Sequence, residues 1–209
     1  LRGLAAAGTM AFALTAPSIA AAQSEQFIPL LVYRTGSFAP LGIPWANGKL
    51  DYLKMVNERD GGVNGVKLIY EECETAYNTD RGVECYERLK KSRGGATMVE
   101  PLSTGIAYGL LDRVAQDKIP MTTLGYGRSD AADGRVFPFV FPLITSYWNQ
   151  AAGMMKYLGD KEGGLEKLKG KKIVHLYHDS AYGKEPFAVF EAYAKQYGFE
   201  LIKLAVPHP

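Results

Sequence analysis

Short apolar segments alternate with longer segments of helical period along most of this chain, and that alternation constrains the fold most strongly. Strands are predicted at residues 27–33, 66–71, 96–100, 120–124, 137–142, 172–177 and 201–206. Helices are predicted at residues 45–58, 79–91, 105–116, 147–158 and 184–197. Strands joined through helices of this length pair in parallel by right-handed crossovers, so the fold class is α/β.

Local signals refine this pattern. Asn78 and Ser103 are predicted to cap the helices that follow them. Segment 66–71 alternates only partly between apolar and polar residues, so it is expected near a sheet edge. Segment 137–142 contains two prolines, which favour an edge strand or an extended crossover. The glycine-spaced stretch 159–170 is expected to be a surface loop.

The first 22 residues have the pattern of a secretory signal peptide. Arg2 precedes the apolar run 4–14, and Ala20, Ala21 and Ala22 form a small-residue cleavage site, so the mature chain is expected to start at Gln23. A membrane anchor is the weaker alternative, because the run is shorter than the roughly 20 residues that span a bilayer. Export also argues against chemistry on soluble nucleotides.

The overall charge gives no reason to expect nucleic acid or a membrane surface as a partner. There are 24 Lys and Arg against 22 Asp and Glu, a net charge of +2. The two cysteines, Cys73 and Cys85, are predicted to form a disulfide between a strand end and the next helix, since an exported chain meets oxidising conditions. Two buried thiols remain the alternative.

The enzymatic alternatives have weak support. Segment 125–130 resembles a dinucleotide-binding loop, but Asp130 replaces its third glycine, and no G-x-S-x-G motif occurs. Glu71, Glu72 and Glu74 lack a companion histidine of metal-ligand spacing and indicate a solvated strand end. His175 shares a strand face with Tyr177 and is expected to be solvated or packed. No catalytic residue, cofactor or metal is therefore predicted.

Open α/β sheets bind ligands at the carboxyl ends of their strands. The loops after Tyr33, Glu100, Leu124 and Tyr177 should therefore converge on one site. Helix N-termini in such loops favour a carboxylate, because they present free N–H groups and a partial positive charge.

Four stretches, residues 36–42, 57–68, 99–104 and 178–183, resemble the periplasmic substrate-binding proteins of ABC transporters, in the type I branch that binds Leu, Ile or Val. The resemblance extends over essentially the whole chain. It implies a two-lobed clamshell of parallel sheets, with residues 23–145 in the first lobe and residues 146–209 beginning a second lobe. We expect the natural chain to continue beyond Pro209, because the second sheet has too few elements to cover both of its faces.

The same resemblance implies a periplasmic monomer that binds a small carboxylate and works with an ABC permease of the inner membrane. Ser103 and Thr104 would meet the ligand's carboxylate, with simple N-capping as the alternative. Gly125 and Tyr126 would face its polar head with backbone groups, and Tyr182 would close over it.

The first loop offers Phe38 as an apolar wall and Arg34 as a carboxylate partner, or Arg34 as a surface ion-pair residue. Gly127 replaces a hydroxyl residue of the amino-acid binders, and Tyr126 stands beside it. An aromatic or non-amino carboxylate is therefore an alternative to a branched-chain amino acid. A sensor domain, which should continue into a membrane span or signalling module, and an exported enzyme are the other function classes.

Overall fold

The computed structural model describes residues 24–208. The predicted signal peptide, and its cleavage before Gln23, lie outside the described residues. The strands are β1 (Glu25–Val32), β2 (Lys67–Glu74), β3 (Met121–Leu124), β4 (Val140–Leu143), β5 (Lys172–His178) and β6 (Glu200–Val206). The α-helices are α1 (Ala39–Arg59), α2 (Thr79–Leu89), α3 (Thr104–Asp117), α4 (Tyr147–Glu162), α5 (Ala181–Lys184) and α6 (Phe187–Tyr197).

All of the paired strands run parallel, as the alternation predicts. In the first sheet, β1 pairs with β2 and β3 pairs with β4. Segment 96–100 lies between these pairs and joins them through isolated bridges from Phe27 to Ala96, Leu30 to Glu100 and Val99 to Met121. It is therefore less regular than the predicted strand. Among the described strands of this sheet, β2 and β4 lie at the edges.

The core forms on both faces of β1. Leu31 packs with Tyr86 of α2 and Leu110 of α3 on one face. Its neighbours Leu30 and Val32 point to the other face, where α1 covers them. Because successive side chains of a strand alternate between faces, a continuous apolar run such as that of β1 is buried on both sides.

A second sheet contains β5 and β6, which pair in parallel. Met155 of α4 and Phe190 of α6 cover one face of it. On the other face Val174, Leu176 and Leu204 are more than half exposed. We call residues 25–143, around the first sheet, the first unit and residues 147–206, around the second, the second unit.

Helix α1 begins at Ala39, six residues before the predicted start at Trp45. The glycine- and proline-rich stretch 35–44, which its composition predicts as a loop, is therefore helical from residue 39 onward. Pro40 occupies the first turn, where a backbone N–H has no acceptor within the helix, so its missing N–H costs nothing. Pro44 lies inside the helix and removes one hydrogen bond there.

Two further helix boundaries differ from the predictions. Helix α4 continues to Glu162, and the predicted loop 159–170 contains a 3₁₀ helix (Leu165–Leu168) with a buried Leu168. Gly159 lets the 3₁₀ helix pack against α4, because a Cβ on Gly159 would lie 2.8 Å from the side chain of Leu165. The predicted helix 184–197 corresponds to α6, which starts three residues later, after Pro186. The short helix α5, which was not predicted, ends at Lys184.

A disulfide joins Cys73, near the end of β2, to Cys85 of α2, with 5.7 Å between their Cα atoms. The helix is capped by Asn78, whose side chain accepts from the N–H of Arg81. The disulfide thus holds α2 against the edge strand β2, and the cap fixes where the helix begins.

Replacing both cysteines with alanine should lower the free energy of unfolding of the full-length protein by about 3 kcal/mol, because the unfolded chain gains entropy when a closed loop of this size opens. Urea denaturation with and without a reductant measures this. The reductant should destabilise the wild type and leave the double variant unchanged. Equal stability of wild type and variant would contradict the prediction.

Candidate functional site

A cavity of about 300 Å³ lies at the carboxyl ends of the strands, between the two units. Its walls are mainly aromatic, with hydroxyl groups at one end. The residues that line it are Tyr33, Phe38, Leu41, Trp45, Tyr77, Leu102, Ser103, Thr104, Leu124, Tyr126, Tyr147, His178 and Tyr182. All four loops expected to converge contribute to this lining.

Five of the predicted site residues line the cavity: Phe38, Ser103, Thr104, Tyr126 and Tyr182. The other two, Arg34 and Gly125, do not line it.

The backbone carbonyl of Gly125 accepts a hydrogen bond from Gln150 Nε2 at 2.7 Å. Arg34 donates through two nitrogens to the carboxylate of Glu72, at 2.6 and 2.8 Å, and through a third to Asn47. The structure thus holds Arg34 in the ion pair that was its alternative role.

The start of α3 forms the polar end of the cavity. Ser103 Oγ accepts a hydrogen bond from the N–H of Ile106, which confirms the predicted cap. The first N–H groups of a helix have no acceptor within it and carry part of the positive end of the helix dipole. Gly105 lets this end pack closely, because a Cβ would lie 2.7 Å from Thr79 Oγ1.

Thr104 connects three parts of the site. Its hydroxyl makes two buried contacts. The Oγ1 atom accepts a hydrogen bond from the N–H of Gly127 at 3.3 Å and lies 2.9 Å from the hydroxyl oxygen of Tyr147. Burial raises the pKa of Tyr147, so its hydroxyl stays protonated. This contact fixes the start of α4, in the second unit, against the start of α3.

Tyr126 is held by a buried polar network. Its hydroxyl accepts from the N–H of Leu102 at 2.8 Å and donates to Glu100, which is 5% exposed and also binds Lys49 Nζ at 2.5 Å. Burial, followed by the adjacent Glu100 carboxylate, raises the pKa of Tyr126 well above its usual range. The Tyr126 hydroxyl therefore remains a donor to Glu100 at neutral pH.

This network also supports a strained residue. Leu102 has a φ of 54°, in the left-handed region that a branched side chain rarely adopts. Its N–H bonds to Tyr126 and lies 3.1 Å from Glu100 Oε1. Strain of this kind persists where surrounding bonds impose it, and here it directs the turn that leads into α3.

Aromatic rings of the first unit form one wall of the cavity. The ring centroid of Tyr77 lies 5.0 Å from that of Tyr33 and 4.6 Å from that of Phe38. The sequence prediction missed Tyr77, because it ended the second strand at Glu71. β2 extends to Glu74, so the loop that follows it begins at the carboxyl end of the sheet, where the other loops of the site begin.

The second unit supplies Tyr182 and His178. Gly183 lets α5 sit directly on the end of β5, because a Cβ there would lie 2.0 Å from the His178 carbonyl oxygen. This packing turns Tyr182 towards Tyr147, with 5.4 Å between ring centroids. The sequence prediction missed Tyr147, which starts α4.

His178 lies in the cavity wall as a neutral ring. Burial lowers its pKa, and the neighbouring His208 lowers it further. Nδ1 lies 2.7 Å from Ser180 Oγ, while Nε2 is buried without a hydrogen-bond partner among residues 24–208. The other strand histidine, His175, stacks on Tyr177 at 5.6 Å, which confirms the predicted shared face.

The remaining side chains do not suggest a metal centre. In the part of the chain that the structure describes, no group of three or more His, Cys, Asp or Glu residues is placed to hold a metal ion. Glu71 and Glu72 instead pair with Arg88 and Arg34. None of the helices within residues 24–208 is long and apolar enough to cross a membrane.

The family model described as "Periplasmic binding protein" matches residues 25–209. The chain belongs to the periplasmic binding protein family. Its parallel sheets match the type I fold of that family, which confirms the predicted fold class. The comparison with curated proteins gave no match.

Solved structures of similar fold include ABC transporter proteins. One, described as an ABC transporter permease from the Pseudomonas fluorescens group, is 44% identical, with a TM-score of 0.77 over 90% of this chain and 46% of that one. A branched-chain amino acid ABC transporter protein from Thermus thermophilus, with bound valine, is 21% identical, with a TM-score of 0.74 over 89% of this chain and 46% of that one.

A solute-binding protein of an ABC transporter from Rhodopseudomonas palustris BisB5, in complex with 3,4-dihydroxybenzoic acid, is 17% identical, with a TM-score of 0.68 over 88% of this chain and 48% of that one. This periplasmic binding protein chain thus spans about half the length of the solved structures it matches.

Replacing Tyr126 with phenylalanine should lower the free energy of unfolding by about 1 to 3 kcal/mol, because a buried carboxylate and a buried N–H lose a partner. Tyr157→Phe, which removes a hydroxyl from an exposed ring, is the matched control. Urea denaturation of both variants checks the expectation. Equal effects of the two substitutions would show that the Tyr126 network contributes no stability.

Proposed function

We propose that the chain is the periplasmic solute-binding component of an ABC importer, exported by its signal peptide, and that it binds a small carboxylate between two lobes. Residues 23–145 form the first lobe, and residue 146 begins the second. The observation that carries the proposal is the cavity at the strand ends, where the start of α3 and Tyr182 face each other from different units.

The start of α3 supports a carboxylate as the ligand's polar group. The N–H groups of Thr104 and Gly105 are the first of a 14-residue helix, where anions are favoured without a dedicated cation. Tyr147 fixes Thr104 from the other unit and places the hydroxyl cluster beside these groups.

The rest of the cavity supports an uncharged, flat body for the ligand. No lining residue among those described carries an Asp, Glu, Lys or Arg side chain, and the walls are mainly aromatic. Offset or edge-to-face contacts between rings add about 0.5 to 1.5 kcal/mol beyond the burial of area. Among small carboxylates we therefore favour an aromatic acid over a branched-chain amino acid, whose ammonium group needs an acceptor.

Closure follows from the placement of these groups on different units. A solute that touches both α3 and Tyr182 binds best when the units are together, so it shifts the population towards the closed form. An inner-membrane permease then recognises that form.

A thermal-shift screen tests this assignment on the full-length protein. The panel contains benzoate, 4-hydroxybenzoate, 3,4-dihydroxybenzoate, L-valine and L-leucine. An aromatic acid should raise the melting temperature most, since a ligand at a hundred times its dissociation constant stabilises a protein by about 2.7 kcal/mol. A larger shift with L-valine or L-leucine would refute the preference for an aromatic acid, and no shift with any compound would refute a site for these carboxylates.

Replacing Tyr182 with alanine should weaken the affinity for the stabilising compound by about 1 to 3 kcal/mol, because the ring that covers the cavity is lost. Isothermal titration calorimetry measures the change. Tyr157→Ala removes an exposed ring of α4, outside the cavity, and should leave the affinity unchanged. Unchanged affinity in the Tyr182 variant would remove this residue from the site.

A further inference from the structure

Outside the cavity, one carboxylate joins the two units. Glu185 directly follows α5 and lies three residues after Tyr182. One of its oxygens accepts a hydrogen bond from the hydroxyl of Tyr108 on α3, and the other accepts from the backbone N–H of Ser129 at 3.0 Å. Both donors belong to the first unit, so a single side chain of the second unit is held at two points.

The surroundings strengthen these bonds. Burial, followed by the hydrogen bond to Glu185, raises the pKa of Tyr108, so its hydroxyl remains a donor at neutral pH. The guanidinium of Arg128, which is paired with Asp130, lies 5.7 Å from the centre of the Tyr108 ring and places positive charge nearby. Hydrogen bonds to a carboxylate are roughly twice as strong as those between neutral groups.

Glu185 is not among the residues that line the cavity. It is nevertheless linked to the cavity through α5, a single turn that begins at Ala181 and also carries Tyr182. Because a helical turn moves as one piece, a bond that holds Glu185 against the first unit also holds Tyr182 opposite the start of α3.

We infer that Glu185 is a positioning residue for closure, and that its bonds to Tyr108 and Ser129 favour the arrangement in which the units touch. The inference rests on the proposed two-lobed solute-binding function. Glu185 then raises affinity by stabilising the closed form, without contacting the solute.

Distances between spin labels in the full-length protein test this directly. Labels at Arg135→Cys, in the first unit, and Lys156→Cys, in the second, are suitable because these side chains are 90% and 73% exposed. Glu185→Gln keeps the size of the side chain and replaces one acceptor oxygen with an NH₂ group. Without added solute, it should raise the ratio of long to short distances by about tenfold, the loss expected for a charge-assisted hydrogen bond.

Glu191→Gln is the matched control, since Glu191 pairs with Lys203 within the second unit. It should leave the distances unchanged. If Glu185→Gln gives the same distances as the wild type, or the control opens the protein equally, the inference is wrong.

Tyr108→Phe provides a second route, because it removes one donor from the opposite unit. It should also favour long distances, and its effect should be smaller when Glu185 is already Gln, since the two side chains share one bond. If the effects of the two substitutions on the distances were independent, the pairing of Tyr108 with Glu185 would be overturned.

The kinetics of solute binding give a further test. The dissociation rate of 3,4-dihydroxybenzoate should rise about tenfold in Glu185→Gln with little change in the association rate. A slower association at constant dissociation would contradict a role in closure.

Failure of this inference is distinguishable from failure of the proposed function. If Glu185→Gln opens the protein but no compound of the carboxylate panel binds, the role of Glu185 in closure stands and the proposed ligand class falls. If a compound binds and Glu185→Gln changes neither the distances nor the dissociation rate, the solute-binding function stands and the inference about Glu185 falls.

Discussion

Parallel pairing of the strands is the constraint on which the site depends. It places the carboxyl ends of β1, β2 and β3 at the same end of the first sheet, so that loops far apart in sequence meet there. β5 brings Tyr182 to the same cavity from the second sheet. In an antiparallel arrangement, alternate loops would lie at opposite ends of the sheet.

The pairing alone does not shape the cavity, because the loops must also be held in place. The buried Glu100 carboxylate does this for the first unit, where it binds Lys49, Tyr126 and the N–H of Leu102. A buried charge without such partners would cost several kcal/mol. The stability of this network and the position of α3 are therefore linked.

The sequence was sufficient to predict the succession of most strands and helices along the chain, the caps at Asn78 and Ser103, and most of the loops that meet at the cavity. These features depend on local patterns and on a general property of parallel sheets. Arg34 shows where such reasoning stops. Its role depends on Glu72, which is 38 residues away and pairs with it only because β1 and β2 are neighbours.

Tyr126 and Gly159 illustrate the same limit. Backbone groups at Tyr126 were predicted to face the ligand's polar head, but the fate of its side chain was not predicted. Its hydroxyl is engaged by Glu100 and Leu102, and its ring lines the cavity. Gly159, interpreted as the start of a loop, is a contact point inside α4 where Leu165 approaches closely. The contacts of Tyr126 are with residues 24 and 26 positions away, so no local pattern encodes them. Gly159 meets a residue only six positions away, but the contact depends on how the chain folds back after α4.

A crystal structure of the full-length protein with a bound aromatic carboxylate would test the proposed site most directly. The carboxylate is expected to accept hydrogen bonds from the N–H groups of Thr104 and Gly105, with the ring of the solute between Tyr77 and Tyr182. A carboxylate bound to Arg34 instead, or a solute outside the cavity between the two units, would contradict this expectation.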